Sequence, residues 1–201
     1  MVNKAEELAD RVSQELLSYD WNRVKAWIRK VDPDKDGSRY TEMLNLTGAC
    51  PFYGWLACLT KVLQPKKIVE IGADRGTSAD FFLSELPEDG KLYSLDIRSG
   101  WEYTPSWDNR LIKFVADDLI TLREFGEGFK DADIWFVDSS HQPAHVSAVM
   151  GLVFPLAKRG AVIINHDVNE FGLTEIIGAY PCDYWQDDRK IFSNGVSLQI
   201  V

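Results

Sequence analysis

Cysteine is scarce in this chain. Cys50, Cys58 and Cys182 are the three in 201 residues, and none forms a C-x-x-C pair. That argues against a disulfide-rich scaffold and gives no hint of a cysteine-held metal centre, and a sparse, odd set suits a reducing, cytoplasmic setting. Basic residues are in deficit: 22 Lys and Arg stand against 31 Asp and Glu, a formal net charge of −9. An acidic surface repels a nucleic-acid backbone and an anionic membrane, so neither is expected as a partner. No apolar run approaches the ~20 residues that cross a bilayer, and residues 1–10 are polar and acidic, unlike a secretory leader. Internal repeats and low-complexity stretches are absent as well.

What is present is enough apolar residue, 45%, for one domain with a real core. Residues 4–31 read as two helices. Leu8, Val12 and Leu16 space one stripe; Trp21, Val24, Trp27 and Ile28 space another, with Asp20 as N-cap between them. A further apolar helix is expected over 51–63, stopped by Pro65. The chain then alternates. Strands are expected at 67–71, 91–96, 111–116, 132–138 and 160–165, with helices at 78–86, 118–125 and 143–157. Such alternation implies right-handed crossovers and a parallel sheet. Asn194-Gly195, between Ile191-Phe192-Ser193 and the run 196–200, signals a two-residue hairpin, so the sheet should end with an antiparallel strand.

The segment Ile68-Val69-Glu70-Ile71-Gly72-Ala73-Asp74-Arg75-Gly76-Thr77-Ser78 reads as strand, tight loop and helix start. That arrangement lets a ligand approach bare backbone. A dinucleotide loop needs G-x-G-x-x-G, but Asp74 occupies the middle glycine's place. Glu70 and Asp74 would repel a pyrophosphate, which argues against a nicotinamide dehydrogenase. They suit a cationic ligand without phosphate, such as the sulfonium S-adenosylmethionine. Ligands of open α/β sheets bind beyond the carboxyl ends of the strands. Each expected strand ends in a polar or ionisable group there: Glu70, Asp96, Asp117, Asp138 with His141, and His166-Asp167. One acid is routine helix capping; five strand ends together are not.

The ordered series Val69-Glu70-Ile71-Gly72, Gly76-Thr77-Ser78, Leu92-Tyr93-Ser94-Leu95-Asp96, Ala116-Asp117, residues 133–141 and residues 155–167 resembles class I S-adenosylmethionine-dependent methyltransferases. It is most similar to the small-molecule O-methyltransferases of catechol and antibiotic-sugar type. The resemblance implies an α/β, Rossmann-like three-layer sandwich with a mostly parallel seven-stranded sheet and one antiparallel strand near the C-terminus. It implies a methyltransferase domain over 49–201 behind a helical extension at 1–48.

By the same resemblance, Glu70 and Gly72 would line the methionine end of the cofactor, Ser78 would help bind its carboxylate, and Ala73 and Gly76 would also be cofactor-binding. Asp96 would take the ribose hydroxyls and Asp117 the adenine amino group. Asp138, His166 and Asp167 stand where metal-dependent members hold a divalent ion, and Asp138 with His141 would be catalytic. His166 departs from the usual Asp or Asn there, which moves preference from Mg²⁺ toward transition metals. His141 falls where the catechol enzymes carry a lysine base; an imidazole can take a hydroxyl proton. The expected reaction is methyl transfer to a hydroxyl oxygen of a small molecule.

Bland readings stand beside these. Asp96 and Asp117 could be plain caps, and His141 a loop histidine. His145 lies one turn beyond His141 without an H-E-x-x-H glutamate, so it is expected on the helix flank. Asp32-x-Asp34-x-Asp36-Gly37 copies half a calcium loop but puts Met43 where the bidentate Glu belongs. The aromatic stretch 101–107 would wall a pocket or cover the sheet edge. Two rival functions remain: a metal-dependent hydroxylase or hydrolase on the same fold, and a non-catalytic cofactor-binding protein. Assembly into a homo-oligomer is left open.

Overall fold

The computed structural model describes residues 3–31, 51–98, 108–187, 192 and 194–201. Two helices come first, α1 (Lys4–Leu17) and α2 (Trp21–Val31). The Asn3 side chain caps α1 by accepting from Ala5 N and Glu6 N, and Asp20 accepts from Asn22 N at the start of α2. There follow α3 (Pro51–Leu63), β1 (Lys67–Ile71), α4 (Thr77–Glu85), β2 (Lys91–Asp96), β3 (Leu111–Val115) and α5 (Asp118–Phe125). Then come β4 (Ile134–Val137), α6 (Pro143–Leu156), β5 (Val162–His166), a short α7 (Thr174–Ile177), β6 (Asp183–Gln186) and β7 (Val196–Ile200). Among the described residues no helix is long and apolar enough to cross a membrane.

The seven strands form one sheet in the order β3-β2-β1-β4-β5-β7-β6. Every pairing among β1 to β5 is parallel. β7 lies antiparallel to both β5 and β6, so it alone runs against the rest. The expected Rossmann-like architecture, with a single reversed strand near the C-terminus, is present.

Period-two alternation buries both faces of the central strands. Ile68, Ile134, Phe136, Val162 and Ile164 face a core shared with α1, α3 and α4. Val69, Trp135, Val137 and Ile163 face the core under α5 and α6. The first two helices enter the former core through Ala5, Leu8, Ala9, Val12 and Val24. Two polar links fix them further. Asn3 Nδ2 donates to Tyr184 O at 2.7 Å, and Tyr19 Oη donates to the buried Glu85 Oε1 at 2.8 Å.

One element differs from the sequence reading. The sequence suggests a hairpin of Ile191-Phe192-Ser193 with 196–200, but β7 is flanked by β5 and by Asp183–Gln186, with Gln186 opposite Ser197, and Ile191 and Ser193 lie outside the described residues. Phe192 is a bend whose ring is drawn into the core, edge-on to Phe52 and Trp55. Its N–H donates to the buried Asp187 carboxylate at 2.9 Å. Gly195 still turns the chain at φ +82°, but against Asn169 of another loop. The half calcium motif at 32–37 and the aromatic stretch 101–107 lie outside the described residues.

Candidate active site

All five parallel strands deliver their carboxyl ends to one edge, and a cavity of about 590 Å³ opens there. Of the expected residues, Gly72, Ala73, Ser78, Asp96 and Asp117 line it, as do Asp138, His141, His166 and Asp167. Glu70 and Gly76 are not in the wall.

At β1 the chain must pass close to β4. Gly72 takes φ +92°, and a Cβ there would fall 2.2 Å from the Asp138 carbonyl oxygen. Only glycine fits both demands. Asp74 and Gly76 also adopt positive φ, +43° and +83°, so the loop hugs the strand end before α4 begins. Glu70 is fully buried beneath the loop rather than exposed to a ligand. Its two oxygens accept from the hydroxyls of Ser78 and Ser94. Burial pushes its carboxyl up to about 7, against those two hydrogen bonds. Glu70 therefore acts through Ser78, fixing the hydroxyl that does reach the cavity.

At β2, Asp96 is held by backbone from both sides. Oδ2 accepts from Asp74 N and Oδ1 from Arg98 N, each at 2.7 Å. A carboxylate has about four acceptor sites, so two remain for a diol. Arg98 reaches back to Asp74 at 3.3 Å, tying the two loops across Asp96. At β3, Asp117 does cap its helix: Oδ1 accepts from Ile120 N at 3.0 Å. It also faces the cavity, so capping and ligand contact do not compete.

Beyond β4 and β5 two carboxylates and two imidazoles converge. His141 Nε2 lies 3.3 Å from Asp138 Oδ1 and 3.0 Å from Asp167 Oδ2. His166 Nδ1 lies 3.3 Å from the same Asp138 oxygen and 3.2 Å from Asp167 Oδ1. Asp167 sits at φ +58°, an uncommon conformation for a residue with a Cβ. Its Oδ1 is buried and accepts no hydrogen bond. Burial alone would raise the Asp138 carboxyl, but hydrogen bonds and charge from His141 and His166 hold it below the ordinary range. The hydrogen bond to Asp138 raises His141, burial opposes, and Asp167 adds to the rise.

The donors fit a divalent cation. Asp138, His141 and Asp167 each present a ligand atom, all within 4.8 Å of one another. The sequence reading put His166 with Asp138 and Asp167; its Nδ1 does lie against both carboxylates, while the closest grouping of ligand atoms is with His141.

Sequence reasoning did not pick out the aromatic supports. Phe52 stacks on His166 and Phe171 on His141, with centroids 4.1 Å and 4.6 Å apart. Nor did it pair His145 with Asp118, whose Nε2 and Oδ2 lie 2.8 Å apart. The one available signal was His145 itself, four residues after His141.

A parallel sheet in this order, with β7 reversed and a polar cavity over its carboxyl edge, is the fold of class I methyltransferases. Residues 69–168 match the family model described as a methyltransferase domain, and the chain belongs to that family. No curated protein matches it. Among solved structures it is similar to the O-methyltransferase TomG from Streptomyces achromogenes, involved in tomaymycin synthesis and solved with SAM. Identity is 18%, coverage 100% of this chain and 99% of that one, and TM-score 0.65. An O-methyltransferase from Bacillus cereus in complex with SAH gives 20%, 89% and 99%, and 0.60. A methyltransferase from Geobacter sulfurreducens gives 20%, 89% and 96%, and 0.62.

Proposed function

We propose that this protein transfers a methyl group from S-adenosylmethionine to a hydroxyl oxygen of a small molecule, in the cytoplasm. The observation that carries the reading is continuity. One cavity joins the glycine loop, Asp96 and Asp117 to the Asp138–His141–His166–Asp167 cluster. S-adenosylmethionine supplies an electrophilic methyl on a sulfonium. Asp96 takes the ribose hydroxyls, Asp117 the adenine amino group, and Gly72 admits the methionine end against bare backbone. Ser78, set by Glu70, binds the carboxylate.

The acceptor oxygen forms the new C–O bond as the C–S bond breaks, and the electron pair stays on sulfur. Its proton needs a receiver. Nε2 of His141 faces two carboxylates and so keeps its own proton, which leaves Nδ1 as the basic atom. Where a divalent cation is bound, Asp138, Asp167 and His141 would hold it, and it would acidify a hydroxyl brought to it. In both cases the chain's task is to orient oxygen toward methyl and keep the two carboxylates ionised.

Calorimetric titration with S-adenosylmethionine and its demethylated product, with and without Mg²⁺ or Co²⁺, tests cofactor and metal together. Saturable binding of both is expected, and Asp96→Ala should weaken it by about 1–3 kcal/mol, the cost of losing charge-assisted bonds. Absence of binding, or an unchanged Asp96→Ala affinity, would overturn the reading.

A further inference from the structure

The end of the cavity that holds Asp117 carries two further polar residues, Asp118 and His145, to which the proposed chemistry gives no role. It lies where α5 and α6 begin, beyond β3, and is walled by Asp117, Asp118 and His145. His145, in the first turn of α6, points Nε2 at Asp118 Oδ2, 2.8 Å away. Asp118, in the first turn of α5, is buried, and its other oxygen accepts from Leu119 N at 2.7 Å. The pair bridges two helix starts. An ionised carboxylate only accepts, so it places the ring proton on Nε2 and leaves Nδ1 of the neutral imidazole as a lone-pair acceptor. Nδ1 has no donor among the described residues. Asp117 is in the same position: Oδ1 is spent on Ile120 N, and Oδ2 has no donor among the described residues. Two acceptors in want of donors therefore face one end of one cavity.

We infer that His145, fixed by Asp118, is a specificity-determining residue that reads the purine of the methyl donor together with Asp117. This rests on the proposed function. An exocyclic amino group carries two N–H donors, and the site offers two acceptors, Asp117 Oδ2 and His145 Nδ1. Adenine supplies that group. Hypoxanthine carries a carbonyl oxygen in its place, which would meet two lone pairs and be refused. Asp118 does not touch the base; it is a positioning residue that selects the tautomer.

The test compares S-adenosylhomocysteine with S-inosylhomocysteine by calorimetry at about pH 8, above the ordinary imidazole range. The intact protein should bind the adenosyl compound more tightly. His145→Leu should weaken it about three- to tenfold, the usual loss for one hydrogen bond, and leave the inosyl affinity unchanged. Asp118→Asn is the sharper variant. Leu119 N–H continues to hold the side-chain oxygen, so the amide NH₂ turns toward Nε2. The ring proton must then move to Nδ1, which becomes a donor, and preference should narrow or reverse toward the inosyl compound. If His145→Leu does not fold, judged by circular dichroism, Asp118→Asn decides alone. Equal preference in the intact protein and Asp118→Asn would overturn the inference while leaving methyl transfer standing. Absence of adenosyl binding by the intact protein would overturn both.

Discussion

Phe52 lies flat against the ring of His166, with centroids 4.1 Å apart and planes 16° from parallel. The contact joins α3 to the end of β5 and holds the plane of the imidazole, whose Nδ1 lies toward Asp138 and Asp167. Phe171 does the same for His141 from the loop after β5, with planes 10° apart. Both histidines thus meet the carboxylates on rings held by packing, the condition for a preorganised site.

The His141 environment sets a pH profile. The hydrogen bond to Asp138 lifts its pKa above the ordinary histidine value; burial opposes, and Asp167 reinforces the lift. A base must be unprotonated to act, so kcat/KM should rise with pH through that raised value. Asp138→Asn removes the largest cause. The rising limb should then move to lower pH while the plateau falls, since the imidazolium formed in transfer loses its carboxylate. Activity that survives chelators but not His141→Ala would assign the step to the base without an ion. A profile that ignores Asp138→Asn would refute the coupling.

Glu70 makes the opposite kind of prediction, about stability. Burial places its carboxyl at about 7 in the folded chain, against ~4.3 for an unfolded glutamate. Between those values the folded state binds more protons. Stability is therefore fullest at low pH in this window and falls as pH rises through about 7. Glu70→Gln should flatten that fall while keeping a partner for Ser78 and Ser94. Unfolding midpoints at about pH 5 and about pH 8 measure it; an unchanged slope in the variant would show that Glu70 is not the group responsible.

Gly72 and Gly160 separate strain from collision. Both have positive φ, +92° and +84°, yet a Cβ at Gly160 meets nothing within 4 Å, whereas at Gly72 it meets the Asp138 carbonyl at 2.2 Å. Gly160→Ala should cost about 1 kcal/mol, the conformational strain alone. Gly72→Ala should cost more and displace the strand end that carries Asp138. Equal losses in denaturant unfolding would mean that β1 and β4 can part without penalty.

Much of this was legible in the residues. Ile68-Val69 and Ile163-Ile164 mark buried strands because β-branched runs suit a sheet covered on both faces. The acids at strand ends follow from the topology, since parallel strands share one carboxyl edge. The strand Asp183–Gln186 was not legible: it is a half-buried edge of polar and aromatic residues without clear alternation. The nearby Asn-Gly turn pointed to the wrong partner. Which histidine groups most closely with Asp138 and Asp167 was also hidden, because it turns on ring planes held by Phe52 and Phe171 from elsewhere in the chain.

The Asn3–Tyr184 bond has a consequence in time. α1 is made well before β6, yet its cap is tied to that strand, 181 positions later. At ribosomal rates of about 5–20 residues per second, that partner arrives about ten to forty seconds after the helix. In the interval Leu8 and Val12 have no β6–β7 edge to meet, so a helix made before the sheet settles only after its last strands.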